Sequence, residues 1–499
     1  MSVNSQNLVP TDTCDLLVVG AGLAGLNALF AASRYLGREQ KVILVDRRAR
    51  IGGMWVDTYP YVRLHQPHPM FTAGNIAWTL GRERSYLATK DEVLSHFDHC
   101  IAEIAKRVTV DERYGWDFES DEPVPGGVRV TCRTPHGQTR VIVARRLIKA
   151  YGSRVMPNPP LSLSSARVRS VSPDTCDVRV GDIAESAAPV YVIGGGKTAM
   201  DTAHTLITTH PGREVHLVAG SGTLFGSRDR FFPTGRRRWV GSTTLSSMAV
   251  DMCRRFDGTN EQQVADWFGV IYGTRVTPRT GNFLLGVLSE EENTVIRNGV
   301  ADVVMDHLVD VVDHDGAPHI VLRSGARMPV ADGSWMINCT GYLTVGDHPY
   351  EPYTSGDGTV LAVQSRSATM HLMSYMGYFM THMMFQGKLT GVPLYEFDLQ
   401  EMIRRHRAVL PYAMFALAQY NLGLMADAMP AKVFRECGLD YDRWYPWPRR
   451  TAGAVRFMLT HRRERAHLRR TLDTVRERCD VRCGPLDLGS ATASGAAAG

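Results

Sequence analysis

At 499 residues the chain is too long for one hydrophobic core and should hold two or three domains, and its 44% apolar content is ordinary for a globular protein. The net charge of +5 is small for that length, and Arg236-Arg237-Arg238 is too short for a nucleic-acid arm, so no nucleic-acid partner is expected. No run approaches the ~18 uninterrupted apolar residues of a bilayer span, and Met1–Thr13 lacks the basic and apolar regions of a signal peptide; with nine scattered cysteines, the expectation is a cytoplasmic protein without a membrane partner.

The first element pattern organises the rest. Leu16–Val19 is a short apolar run that ends in Gly20-x-Gly22-x-x-Gly25 and passes into helical spacing over Asn27–Arg34. In such a turn the first glycine allows a tight bend, the second a close approach of backbone to pyrophosphate, and the third close helix–strand packing. The helix N-terminus, with Leu23 and Ala24, then offers unpaired N–H groups to phosphate. A second apolar run, Lys41–Val45, ends in Asp46, placed to accept hydrogen bonds from ribose hydroxyls. Next come Gly52-Gly53-x-Trp55, suited to lying against a flat ligand, and Tyr59–Pro67, which holds Arg63, His65 and Gln66. Thr89–Arg107 has the apolar spacing of an amphipathic helix, and Val128–Thr131 and Thr139–Val143 alternate like the strands of a hairpin. A further strand ends at Gly152, and Pro157, Pro159 and Pro160 mark a linker.

A second fingerprint follows, Gly194-x-Gly196-x-x-Ala199, after Val190–Ile193 and before a helix that begins with Lys197 and Thr198. The next strand, Glu214–Val218, ends in Ala219-Gly220 without an acid, while Arg228 and Arg230 follow. That pattern favours NADPH over NADH, since arginine can hold a ribose 2′-phosphate that an acid would repel. Residues 221–300 carry several helical stretches, and strands return over Val303–Val312 and Ile320–Arg323. An apolar strand then ends in Asn338-x-Thr340-Gly341-Tyr342, with Thr340 and Gly341 placed to approach a cofactor. Ser365–Leu389 is rich in methionine and aromatics, more consistent with core than with a cofactor box; His371 and His382 read as core histidines. Leu399–Leu424 and Ala452–Val475 read as helices, and Gly484–Gly499 as disordered. Cys479 and Cys483 lack the partners of a metal site, so no metal is expected.

The two fingerprints predict an α/β protein with two Rossmann-like dinucleotide-binding domains, the NADPH domain inserted into the FAD domain, and a helical C-terminal segment. The expected bounds are 12–155 and 331–395 for the FAD domain, 160–330 for the insert, 396–483 for the helices and 484–499 for the tail. The chain should re-enter the first domain near Ile337. Two such sites in one chain imply hydride delivery from a nicotinamide to a bound flavin.

In these motifs, over residues 12–395, the chain resembles the class B flavin-dependent monooxygenases: flavin-containing monooxygenases, N-hydroxylases and Baeyer–Villiger enzymes. The resemblance implies FAD and NADPH as cofactors, O2 addition at the flavin C4a to give a (hydro)peroxyflavin, and transfer of one oxygen atom to a small-molecule substrate. It makes Arg63, His65 and Gln66 the candidates for the reactive face. The chain departs from the family at Ala166–Asp177, which lacks the histidine and aromatic expected before the second fingerprint, and at His65, where Baeyer–Villiger enzymes carry an acid. A dehydrogenase or reductase without oxygen transfer uses the same two sites. So does an idle flavoprotein that binds a partner through its arginine-rich C-terminal helices. A flavin disulfide reductase needs a redox cysteine pair soon after the first fingerprint, and no cysteine lies between Cys14 and Cys100.

Overall fold

Alternation along the first strands decides the layering. The structure is a computed structural model, and it describes residues 11–153, 155–341, 348–438 and 440–486. In chain order the site-bearing elements are β1 (Leu16–Val19), α1 (Leu23–Ala32), β2 (Lys41–Asp46), α2 (Lys90–Ala105), β3 (Thr109–Tyr114), β4 (Leu147–Gly152), β5 (Arg169–Val171), β6 (Val190–Ile193), α3 (Lys197–Thr209), β7 (Val215–Val218), β8 (Asp302–Val304), β9 (Trp335–Asn338), β10 (Val360–Gln364), α4 (Met373–Phe385), α5 (Leu410–Ala428) and α6 (Trp447–Cys479).

The first sheet has the order β10-β4-β1-β2-β3, and all its neighbours are parallel. Because successive side chains point to opposite faces, Leu16, Val18, Val42 and Leu44 pack under the helices. Leu17, Val19, Ile43 and Val45 pack on a second layer, the four-stranded sheet that contains Gly127–Arg133 and Thr139–Ala144. Those two strands pair antiparallel, as their alternation requires. Thr89 and Glu92 close a reciprocal capping box at the start of α2.

The second sheet, β8-β7-β6-β9-β5, is also parallel throughout and repeats the construction. Val190, Val192, Val215 and Leu217 pack against Ala199, Met200, Ala203 and Leu206, the last four carried by α3. Tyr191, Ile193 and Met336 pack against Val311 and Ile320 of an antiparallel three-stranded sheet. The protein is thus a mixed α/β structure with two Rossmann-like parallel sheets, each covered by helices on one face and strands on the other.

Three expectations need correction. β9, expected to carry the chain back into the first domain near Ile337, pairs with β6 and β5 in the second sheet. An apolar tetrapeptide fits the centre of either sheet, and the return to the first sheet comes later, where β10 pairs with β4. The span Leu399–Leu424 is two helices, Leu399–Arg405 and α5, with Pro411 in the first turn of α5, where its missing N–H costs nothing. Gly484 and Pro485, assigned to the disordered tail, form a short strand with Cys483 that pairs with Tyr395–Phe397; residues 487–499 and Tyr342 lie outside the described residues.

The methionine-rich segment is core. Met376, Tyr378, Met380 and Met383 are fully buried, and α4 lies along α1. A Cβ on Gly377 would come 2.4 Å from the Ala24 carbonyl oxygen, so only glycine allows this contact. Further along, Tyr378 stacks on Phe30 at 6.2 Å and Phe385 on Tyr35 at 5.1 Å. The two helices therefore run in the same direction, and both N-termini reach the carboxyl edge of the first sheet. The segment 221–300 holds helices, as expected, at Leu245–Arg255, Glu261–Ile271 and Glu290–Gly299, with the strand Thr223–Ser227 before them and Asn282–Leu288 between the last two.

Candidate cofactor sites

At the carboxyl edge of the first sheet each glycine has its own constraint. Gly20 has φ +107°, and a Cβ there would lie 2.4 Å from the Ala150 carbonyl oxygen. A Cβ on Gly25 would lie 1.8 Å from the carbonyl oxygen of Gly20, so the turn cannot close with any other residue. Gly22 is the N-cap of α1, with φ −84° and ψ −173° and no side-chain cap. The first-turn N–H groups of Leu23, Ala24 and Gly25 therefore face outward without intrahelical acceptors. The Gly52-Gly53 turn lies beside them: Gly52 N–H donates to the Ala21 carbonyl at 3.0 Å, and a Cβ on Gly22 would stand 3.4 Å from the Cα of Gly53.

Asp46 is buried and has a task the sequence did not show. One carboxylate oxygen accepts from Ala21 N–H at 2.6 Å and the other from Arg48 N–H at 2.8 Å, so the acid shapes the glycine turn itself. Trp55 is half-buried and meets Phe71 edge to face at 5.6 Å. The N-terminus of α4, with N-cap Leu372 and no side-chain cap, is the second helix end at this edge. Its first residue, Met373, lies beside Gly152. A helix N-terminus carries partial positive charge and favours electron-rich groups.

The second site repeats the first. Gly196 caps α3 with φ −84° and ψ −175°, again without a side-chain cap, and leaves the N–H groups of Lys197, Thr198 and Ala199 unpaired in the helix. No atom lies within 4 Å of where a Cβ on Gly196 would be, so the space in front of the turn is open. Gly194 has φ +133°, and its Cβ would meet the Cys339 carbonyl oxygen at 2.8 Å. Ala199 is fully buried and fits where the first site requires glycine.

The two sites are tied together through the segment after Trp55. The Tyr59 hydroxyl donates to Asp201 at 2.9 Å, the Tyr61 hydroxyl bonds Thr202 at 2.9 Å, and Lys197 pairs with Asp201. Burial and the neighbouring Asp201 carboxylate push the Tyr59 hydroxyl well above its usual pKa, which keeps it a neutral donor.

The candidate reactive residues separate. Arg63 is exposed and donates to the Leu87 carbonyl at 3.1 Å, pinning its own loop. His65 lies against the second domain and accepts from Val287 N–H through Nδ1 at 3.3 Å. Burial and the nearby Lys197 and Arg228 cations push its pKa down to about 3, so the ring is neutral. Gln66 has a buried side-chain carbonyl oxygen with no hydrogen-bond partner among the described residues.

Arg228, expected at a 2′-phosphate, is occupied. Its guanidinium straddles Glu292 at 2.9 and 3.2 Å and donates to the His65 carbonyl at 2.8 Å. Burial works against ionisation of Glu292, but Lys197 and Arg228 outweigh it and hold the carboxyl at about 2. Glu292 also closes a capping box with Ser289. This Ser-x-x-Glu spacing was readable in the sequence; its pairing with Arg228 was not. Thr340 and Gly341 are corrected likewise: they follow β9 and sit at the second glycine turn, where Thr340 N–H and hydroxyl donate to Asn338 at 3.2 and 2.7 Å. At the carboxyl end of β7 the structure instead gathers Gly220, Ser221, His307 and Arg279. His307 Nε2 is 3.0 Å from where a Cβ on Gly220 would be, and Arg279 donates to the Met305 carbonyl at 3.1 Å.

Residues 14–233 match the family described as pyridine nucleotide-disulphide oxidoreductase. Over 210 residues the chain is 29% identical to an uncharacterized protein of Mycobacterium tuberculosis and to one of Mycobacterium bovis, a match over 40% of this chain and 36% of each relative. The chain thus spans about a third of the length of the curated relatives it matches. Similar solved structures include an open crystal structure of cyclohexanone monooxygenase (14% identity, 90% of this chain and 99% of that one, TM-score 0.46). A flavin-containing monooxygenase from Stenotrophomonas maltophilia (15%, 75% and 98%, 0.44) and the bacillithiol disulfide reductase of Bacillus cereus (12%, 76% and 100%, 0.45) are similar to the same degree.

Proposed function

We propose that this chain, similar over residues 14–233 to the pyridine nucleotide-disulphide oxidoreductase family, is an NADPH-dependent flavoprotein monooxygenase that passes one oxygen atom from O2 to a small-molecule substrate. The observation that carries the reading is the pair of uncapped glycine N-caps with matching backbone geometry, joined by the Tyr59–Asp201 and Tyr61–Thr202 hydrogen bonds. One cofactor on each turn brings a hydride donor and a flavin to a common cleft. Bound FAD would supply the redox chemistry that no side chain offers, accepting a hydride and passing electrons to O2.

The chain's own residues fit that group. The Gly22 and Gly53 backbones meet only because neither residue carries a Cβ, and the cradle they form leaves the N–H groups of Leu23, Ala24 and Gly25 free for a pyrophosphate. Each Asp46 oxygen keeps a lone pair for a ribose hydroxyl beside the bond it already accepts. The uncapped α4 N-terminus would favour negative charge on a bound flavin. At the second turn Lys197, Thr198 and Ala199 hold the NADPH pyrophosphate, and Ser221, His307 and Arg279 take the 2′-phosphate in place of Arg228. Gln66 keeps an unpaired buried oxygen for a ligand donor near the cleft, and His65, neutral, orients the joint between the domains rather than moving a proton. Eight of the nine cysteines are buried, which argues against a thiol–disulfide exchange centre.

The test is turnover with NADPH under labelled O2 against ketone, amine and sulfide panels. Label in the product, with one NADPH consumed per atom, supports the reading. NADPH consumption that tracks substrate reduction, with unlabelled product, replaces it with a dehydrogenase.

A further inference from the structure

The chain's positive charge is not spread over its surface. Helix α6 carries ten arginines against three acidic residues, a net +7, whereas the whole chain carries +5; everything outside this one helix therefore sums to −2. The helix buries Leu468, Leu472 and Val475 in its C-terminal half but leaves large apolar side chains exposed in its N-terminal half. Trp447 and Leu459 are 76% and 77% exposed, and Val455 and Met458 are exposed with them. Spacings of eight, three and one residues place all four on one face. Arg462, which pairs with Asp427 at 2.9 Å, continues that face, and Arg463 and Arg470 flank it. Arg463 and Arg470 are exposed and have no acidic partner among the described residues. At the N-terminal end, Arg449 donates to the Arg238 carbonyl at 3.0 Å. This brings up a second exposed group, Arg236, Arg237, Trp239 and Val240.

From this surface we infer that α6 docks the protein on an anionic lipid surface. Tryptophan and aliphatic side chains lie at the headgroup boundary, and the arginines pair with lipid phosphates. A second copy of the chain is the weaker occupant, because a two-fold contact would set the same arginine-rich face against itself. A bilayer span is not what the helix offers: among the described residues no helix is long and apolar enough to cross a membrane.

The experiment is co-sedimentation of the full chain with vesicles of phosphatidylcholine alone or of equal parts phosphatidylcholine and phosphatidylglycerol. The expected result is binding to the anionic vesicles only, lost at high salt. Arg463→Glu with Arg470→Glu should weaken partitioning at least about 25-fold, about fivefold per arginine. Trp447→Ser with Leu459→Ser should also release the protein. All four side chains point to solvent, so thermal unfolding of both variants should match the parent. Protein that stays in solution with both vesicle types overturns the inference, as does anionic binding that neither variant changes. Light scattering that shows a dimer dissolved by Leu459→Ser assigns the face to a second copy and overturns it too.

Discussion

Replacing Arg228 by methionine separates a structural ion pair from a phosphate ligand. Arg228 and Glu292 are 12% and 19% exposed in their side chains and meet through two contacts. The Glu292 carboxyl is held at about 2 rather than 4.5, a gap worth about 3 kcal/mol shared among its partners. Because the folded value is depressed, that stability is present above the unfolded value of 4.5 and is lost as pH falls from there toward 2. Near neutral pH, removing Arg228 strands the carboxylate beside Lys197 alone and should cost about 3 kcal/mol. At roughly 2–4 °C per kcal/mol, the melting temperature should fall by about 6–12 °C. Arg228→Met combined with Glu292→Gln should lose less than the sum of the single changes, since no unpaired charge remains. Thermal unfolding of the three variants measures this, together with KM for NADPH and for NADH, which Arg228→Met should alter to the same extent. Arg279→Ala should instead raise KM for NADPH about 10- to 100-fold, the worth of one charged hydrogen bond, and leave NADH unchanged. If Arg228→Met melts within about 1 °C of the parent and selectively raises KM for NADPH, the ion pair is secondary and the phosphate assignment returns to Arg228.

The two glycine N-caps should respond differently. Gly22→Leu places a side chain in the cradle beside Gly53 and should give protein that binds no FAD; a variant purified with its flavin refutes the cradle. Gly196→Ala meets no atom within 4 Å, so it should fold and keep its flavin while binding NADPH more weakly, and loss of flavin on purification would refute the assignment of the two turns. The His65 pKa is lowered in the fold from 6.5 to about 3, so the unfolded chain binds a proton that the folded one refuses. Stability should fall as pH drops from 6.5 toward 3, and His65→Asn should remove about 1–2 kcal/mol of that loss by pH 5. Urea unfolding at pH 7 and pH 5 measures it, and an unchanged pH dependence would show that His65 titrates normally.

Much of the site was legible in the residues alone. Gly20, Gly22, Gly25, Gly194 and Gly196 mark two strand–turn–helix units, and at Gly20, Gly25 and Gly194 no Cβ fits against Ala150, Gly20 or Cys339. The uniformly apolar runs Leu16–Val19 and Val42–Val45 mark strands buried on both faces. Those are local constraints, felt within one turn or one strand, and a sequence records them directly. The sheet to which Trp335–Asn338 belongs was decided by its neighbours, since an apolar strand satisfies its hydrogen bonds beside any parallel partner. The partner of Arg228 was decided likewise: Glu292 is 64 residues away, and charge complementarity over that separation leaves no spacing to read. The exposure of Trp447 and Leu459 is of the same kind, for a helix shows two apolar faces in its sequence but only packing determines which one the protein covers.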